Sequence, residues 1–344
     1  MTTDLTKAGA TAAEPASAGA PPTLPGRLGV RGGDWGTWLR ERGVYLALIL
    51  LFLFNAVATP NFLTLGTIQL YAVQTTTIII VSLGMALVIG TGGVDLSVGA
   101  VMAIAAAVTA KASTGFGLPI GVAIVLAVVI AGVFGAINGL VVALGRVQPI
   151  VATLAMLVGG RGIALVITGG ALVELFPPFF QTVRKSEFLK VPSIFWLALL
   201  LALITAVVVR RTGFGYRLLA IGGNLRASRL AGLPVKRTLV IVYTISGVLA
   251  GVAGVIATAR IRAADPSYVG INIELTAITA VVVGGSLLAG GRVRVLGTVA
   301  GAVLIQLLEN TLTAQNIRDS IARVVEALII IAAVLAQRPG RSSR

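Results

Sequence analysis

Neither cysteine nor histidine occurs anywhere in the 344 residues. Their absence excludes disulfides, thiolate and imidazole metal sites, and histidine-based acid–base catalysis together. No metal and no cofactor is expected. Charge is scarce as well: Asp, Glu, Lys and Arg make up 11% of the chain, against about 25% in soluble domains. With a hydrophobic fraction of 57% and a mean hydropathy of +1.00, a soluble globular protein is excluded. Residues 1–31 lack any apolar core segment and are rich in Ala, Pro, Thr and Gly, which fits neither a signal peptide nor a folded domain. The stretch 1–38 is read as a disordered cytoplasmic tail.

The charge that is present is unbalanced, with 27 basic residues against 12 acidic ones. In a soluble chain that excess would suggest nucleic acid. Here the basic residues sit between hydrophobic runs, where the positive-inside rule accounts for them. The runs predict ten spans, at 39–58, 68–90, 92–110, 118–144, 150–168, 193–209, 238–259, 274–289, 296–312 and 320–337. Pro60 ends the first, and Trp35 and Trp38 stand before it as interfacial anchors. Ten spans return both termini to one side. With the N-terminus inside, 18 of the 27 basic residues fall on inside segments and 8 on outside ones, Arg161 lying within a span. The expected fold is therefore an all-α polytopic membrane protein of about ten transmembrane helices, N-in/C-in. Its membrane domain covers 39–337, with a cytoplasmic loop at 210–237 and a short cytoplasmic tail at 338–344. The longest outside loop, Gly169–Pro192, contains Pro177, Pro178, Phe179 and Phe180 and is expected to form an irregular external element.

One interruption stands out chemically. Thr91–Gly99 reads TGGVDLSVG. The apolar stretch after it, Val98–Ala110, is too short for a crossing, which takes about 20 residues. To complete the crossing, the chain from Gly92 must lie at membrane depth. A carboxylate and non-helical backbone persist there only against a protein-lined or water-filled cavity, and such broken helices mark substrate paths. A cytoplasmic turn in which Asp95 and Ser97 cap helices accounts for the same residues. Both readings stand at this point. A GG-x5-G spacing recurs in Thr91–Val101 and Ala289–Val299, a faint echo of the kind duplicated transporters carry.

The loop Arg210–Arg237 carries seven basic residues and no acidic one. Within it, Asn224–Pro234 reads NLRASRLAGLP. Asn224 is a good N-cap, Gly232 a good residue just past a helix end, and Pro234 stands where a helix cannot continue. A two-turn helix follows, with Leu225, Ala227 or Ser228, and Leu230–Ala231 on one small apolar face beside Arg226 and Arg229. So short a helix is marginal alone and is expected to dock on something. The competing reading is a solvated connector whose arginines fix topology.

At these residues the chain resembles a known family. R-A-S-x-x-x-G at Arg226–Gly232 is similar to the E-A-A-x-x-x-G cytoplasmic motif of permease subunits in bacterial ABC importers. The resemblance runs from about Thr64 to Gln337 through TGGVDLSVGAVMA (91–103), INGLVVALGRVQPIVATL (137–154), GRGIALVIT (160–168), AIGGNLRASRLAGLPV (220–235), YTISGVLAGVAGVI (243–256) and VVVGGSLLAGGRVRVLGT (281–298). These resemble the ribose/xylose/galactofuranose-type sugar permeases. GVDLSVGAVMA and IRAADPSYVG (261–270) most resemble the galactofuranose branch. Arg226 departs from the motif's acidic first position and Ser228 from its second alanine, while the helix and its glycine are kept. The resemblance implies a monosaccharide permease of the bacterial inner (plasma) membrane. It would pair with a second permease subunit, a cytosolic ABC ATPase and an extracytoplasmic sugar-binding protein. Asn224, Arg226, Ala227, Ser228, Arg229 and Gly232 would couple it to the ATPase. None of the five lysines completes a G-x-x-x-x-G-K-[ST] phosphate loop, so the chain is expected to have no ATPase site of its own.

Sugar translocation needs groups that bind hydroxyls weakly. Asn138 and Asn310 offer neutral amides, which serve equally well as interhelical bonds. Arg161, between Gly160 and Gly162, either reaches a cavity or snorkels to the interface. Asp95, Asn138, Arg161 and Asn310 are the substrate-path candidates. Gln148 is a further polar group; Glu309 lies toward an outer span end, and Glu326, deeper, pairs best with Arg323. The glycines of Gly247–Gly254 read as close helix packing. Two other readings remain: an ion-coupled secondary transporter with Asp95 or Glu309 as the coupling group, and an ABC permease for branched-chain amino acids, which would not be expected to carry GVDLSVG. A membrane-embedded enzyme finds no convincing active site.

Overall fold

The computed structural model describes residues 35–318 except 176–179 and 181–185, together with individual residues between 320 and 331. The expected tail before residue 35, Pro177–Phe179, Arg323, Glu326 and the chain beyond 331 lie outside the described residues. Within them the chain is helical. The helices are Trp35–Ala58 (α1), Leu65–Gly90 (α2), Val98–Ala110 (α3), Ile120–Ala143 (α4), Pro149–Thr168 (α5), Ser193–Arg211 (α6), Gly213–Gly223 (α7), Leu225–Leu230 (α8), Val235–Ile261 (α9), Ile273–Val283 (α10) and Val295–Ala314 (α11). Two small antiparallel pairings decorate one end. Val173–Glu174 (β1) joins Ala263–Ala264 (β4), and Glu187–Phe188 (β2) joins Val191–Pro192 (β3).

Among the described residues, seven helices are long and apolar enough to cross a membrane. They include α3, because it continues beyond Ala110 as a π-helical turn through Lys111–Gly115. The missing length is thus added at its C-terminal end, where the sequence placed it before Val98. α10 is shorter than the expected span 274–289: it stops at Val283, and turns carry the chain to Val295.

Burial sorts these helices into a core and a rim. Every residue of α3 is buried, and so is α2 from Thr75 to Gly90. Helices that are apolar on all sides belong inside protein. Around them pack α9, α10, α11, α6 and α5. α4 shows the inverse of a soluble helix. Its buried face is Ala123, Ala127, Ala131, Gly135 and Asn138, while Val122, Val125, Val129 and Val133 face outward. Small residues at four-residue spacing let backbones approach, and branched ones suit a lipid-facing surface. The partner of that face is α9: a methyl at Gly135 would strike the backbone of Tyr243 and Gly247, and one at Gly247 would strike Ala131 and Gly135. The Gly247–Gly254 run is the packing seam expected of it.

Gly135→Val and Gly247→Val are each expected to destabilise the protein by about 1–3 kcal/mol, the usual cost of overpacking. Gly121, with open space around it, serves as the control. Thermal melting in detergent measures both; a Gly247→Val protein melting with the Gly121→Ala protein would contradict the seam.

Candidate functional site

The chain leaves α2 at Gly90 and does not re-enter a helix until Val98. Thr91 closes the end of α2 by donating its hydroxyl to the Val88 carbonyl (2.7 Å), and Gly92 and Gly93 donate their N–H groups to Ile89 and Val88. Asp95, only 1% exposed, then organises the start of α3. Its Oδ1 accepts from the Ser97 amide (3.0 Å) and the Ser97 hydroxyl (2.5 Å), and its Oδ2 accepts from the Ser246 hydroxyl on α9 (2.8 Å). The Ser97 hydroxyl accepts in turn from Asn138 Nδ2 on α4 (2.8 Å). Thr153 of α5 donates to the Val94 carbonyl (3.3 Å). One carboxylate thus ties the break to two neighbouring helices, with a third bracing its backbone.

Ser246 is the twelfth residue of α9; at 1.5 Å per residue it stands roughly 16 Å from that helix's start. The break therefore lies well inside the bundle, not in a solvated turn.

A second break faces the first. α9 ends at Ile261, and α10 begins only at Ile273. Between them Gly270 comes so close to Gly99 that a methyl on either would strike the other's backbone. Gly99 lies one turn before Met102, whose backbone packs against Gly254, seven residues before the end of α9. The segment after α9 thus turns back into the bundle, and α3 and α10 both start there as half-helices. Arg161, on α5, holds this segment. Its guanidinium donates to the carbonyls of Pro266 (2.7 Å), Val269 (2.6 Å) and Gly270 (3.2 Å). The Glu274 carboxylate, in the first turn of α10, lies within electrostatic reach of Arg161.

The structure joins Asp95 and Asn138 through Ser97, and sets Arg161 on the neighbouring break. Asn310 lies apart on α11, accepting from Gln306 Nε2 (3.1 Å). The sequence reading missed Ser246, Thr153 and Glu274. Ser246 sits in a run of small residues and reads as packing; Pro266 and Gly270 were the local signals for the second break.

At the same end of α2 as the first break, the loop helix forms as its caps dictate. Asn224 Oδ1 accepts from the Ala227 amide (2.9 Å), and Gly232 takes the left-handed conformation, φ 73°, as its amide bonds the Arg229 carbonyl. The leucines of its apolar face are left exposed. Ser228 is the buried residue, whereas Leu225 is exposed and Leu230 is 83% exposed, beside exposed Arg226, Ala227 and Arg229. The base of the helix is firm: Gly222, at the end of α7, sits against the Gly90 carbonyl and the Gly291 amide, and Gly291 donates to Gly90 (3.0 Å). The two glycine pairs of the sequence echo meet here. A cavity of about 530 Å³ joins Leu225 and Arg229 to Thr91–Gly93.

Comparison with known proteins gives the family. The profile of the family described as "Branched-chain amino acid transport system / permease component" matches residues 67–334. The galactofuranose transporter permease protein YtfT of Escherichia coli (strain K12) is 35% identical over 301 residues, covering 85% of this chain and 88% of that relative. The ribose import permease protein RbsC of the same strain is 36% identical over 302 residues, covering 87% and 94%. The D-allose transport system permease protein AlsC is 32% identical over 301 residues, covering 88% and 92%. No solved structure matches.

Asp95→Ala leaves three donor hydrogen bonds without an acceptor, at about 1–3 kcal/mol for each group left buried and unpaired. Asp95→Asn keeps one acceptor oxygen. The expected melting order is wild type, then Asp95→Asn, then Asp95→Ala; equal melting of all three would remove Asp95 as organiser of the break.

Proposed function

The chain belongs to the branched-chain amino acid transport system / permease component family, and from that premise we propose how it works. It is the transmembrane permease subunit of an ATP-binding-cassette importer that carries a monosaccharide, a multi-pass protein of the bacterial inner membrane. Despite the family's description, the relatives compared above carry sugars, and the GVDLSVG segment sits at the heart of this chain's first break. The galactofuranose and ribose permeases are equally similar to it, so the sugar is decided by the panel below.

The finer reading is our own. The chain crosses ten times with both termini inside, as the 18-to-8 division of basic residues supports. α8 then faces the cytosol. Its residues Asn224, Arg226, Ala227, Ser228, Arg229 and Gly232 dock a separate ATPase, since this chain contains no phosphate-loop motif. Asp95, Asn138 and Arg161 hold the two breaks that border the sugar path, and Asn310 lies nearer its other end. A second permease subunit and an extracytoplasmic sugar-binding protein complete the assembly. The observation that carries this reading is the capped, leucine-bearing α8 with its base seated on the end of α2, directly beside the break. A push on α8 passes through Gly222 to Gly90 without crossing any flexible side chain.

Uptake by proteoliposomes holding this chain, its ATPase and its binding protein is expected to require ATP and to survive ionophores. D-ribose, D-fructose, D-allose and galactofuranose form the substrate panel. Accumulation driven by an imposed proton or sodium gradient without ATP would instead favour the ion-coupled transporter.

Gly232→Val strains the left-handed residue that closes α8 by about 1–2 kcal/mol. Co-purification of the ATPase is expected to fall while membrane insertion stays normal. A full complement of ATPase on the Gly232→Val protein would count against α8 as the coupling element.

A further inference from the structure

Toward the start of α2, away from α8, lies a cavity of about 380 Å³ lined by Gln74, Thr77, Asn272, Thr276, Gln306 and Glu309. Its volume falls in the roughly 300–1,000 Å³ range of small-molecule sites. Four elements meet there: α2, α11, the end of α9 and the start of α10.

The threonines of α2 show that this wall is more than packing. Thr75, Thr76 and Thr77 are consecutive and all buried. Thr75 and Thr76 satisfy their hydroxyls within the helix, on the carbonyls of Tyr71 (2.7 Å) and Ala72 (2.8 Å). Thr77 does not: its Oγ1 is buried with no hydrogen-bond partner, and Gln74 Oε1, one turn earlier, is in the same condition. Buried polar atoms are almost always paired, so two orphans on one cavity wall call for a partner that is not part of the chain. Asn272 adds a third polar group, since its side chain makes no capping bond to α10.

The chemistry of that partner follows from the set. Three amides, two hydroxyls and one carboxylate can donate and accept at once, which suits neighbouring hydroxyl groups. The charged groups on the wall are Arg260 and Glu309, one of each sign, so neither an anion nor a cation is favoured. Tyr268, largely exposed, adds an aromatic side chain to the lining. Gln306 is held in place by Glu309 Oε2 (3.4 Å) and Asn310 Oδ1 (3.1 Å), which links the cavity to Asn310.

We propose that this cavity is a transient binding site for the sugar on the outer half of its path, with Thr77 and Gln74 as hydroxyl-contacting residues. The proposal rests on the importer reading and its orientation. So few unpaired groups hold a sugar loosely, which lets it move on.

Thr77→Val and Gln74→Leu, assembled with the ATPase and the binding protein, test it with whichever labelled panel sugar the unmodified complex takes up fastest. Uptake is expected to fall about tenfold, while the ATPase rate stimulated by the loaded binding protein stays within about twofold. Melting of the Thr77→Val protein is expected to hold or rise, because an unpaired buried hydroxyl has gone. Thr77→Ser should restore uptake. Thr298, whose hydroxyl is also buried and unpaired but lies outside this cavity, provides Thr298→Val as a control that leaves uptake unchanged. Normal uptake by both cavity variants overturns the site, as does an equal loss in Thr298→Val or a lowered melting temperature in Thr77→Val. An unmodified complex that moves no panel sugar overturns the importer reading, and this site with it.

Discussion

A helix that stops inside an apolar bundle leaves backbone N–H or C=O groups with no water to meet them, and this fold is arranged around that demand. It stops helices inside the bundle twice. At the first break the carboxylate of Asp95 accepts from the Ser97 N–H just before α3 and from the hydroxyls of Ser97 and Ser246. At the second the groups to be met are the carbonyls of Pro266, Val269 and Gly270, and a guanidinium, Arg161, donates to them. Each charge is matched to the polarity of the backbone it serves. Neither could be exchanged for a neutral apolar residue without orphaning several groups at once.

Glycine supplies the second requirement, close approach of backbone to backbone. Where α4 meets α9, where Gly99 meets Gly270, and where Gly222 meets Gly90 and Gly291, a methyl group would already be too large. The last of these contacts puts the base of the loop helix on the end of α2. The same residue type therefore seals the helix seam, joins the two breaks and seats the loop helix.

How much of this was legible in the sequence depended on how local the cause is. The caps of α8 act within ten residues, and Asn224, Gly232 and Pro234 announced them. The first break was half legible: TGGVDLSVG marked the interruption, but a broken helix and a capped turn accounted for it equally until the burial of Asp95 was seen. Its partners were not legible. Ser246 lies 151 residues from Asp95 along the chain, in a stretch whose small residues signal packing. Arg161 was weighed between a cavity and the interface, yet its oxygens come from a segment 105 residues away. Which side of α8 faces the rest of the chain was not legible, because amphipathicity says which residues are alike, not which side the protein lies on. The ten expected spans remain a matter of orientation, beyond the seven that length and composition establish.

The meeting of Gly99 with Gly270 has a mechanical meaning. A continuous helix through the centre of a bundle behaves as a strut: it carries load along its axis and resists bending, because bending strains every hydrogen bond on one side. Here the centre holds two separate rods, α3 of 13 residues prolonged by its π-helical turn and α10 of 11, whose near ends meet through bare backbone. Sliding one rod past the other disturbs only the contacts at the joint and leaves both helices intact. The middle of the molecule is thus its most compliant point in shear, while α2 and α9 on either side stay stiff.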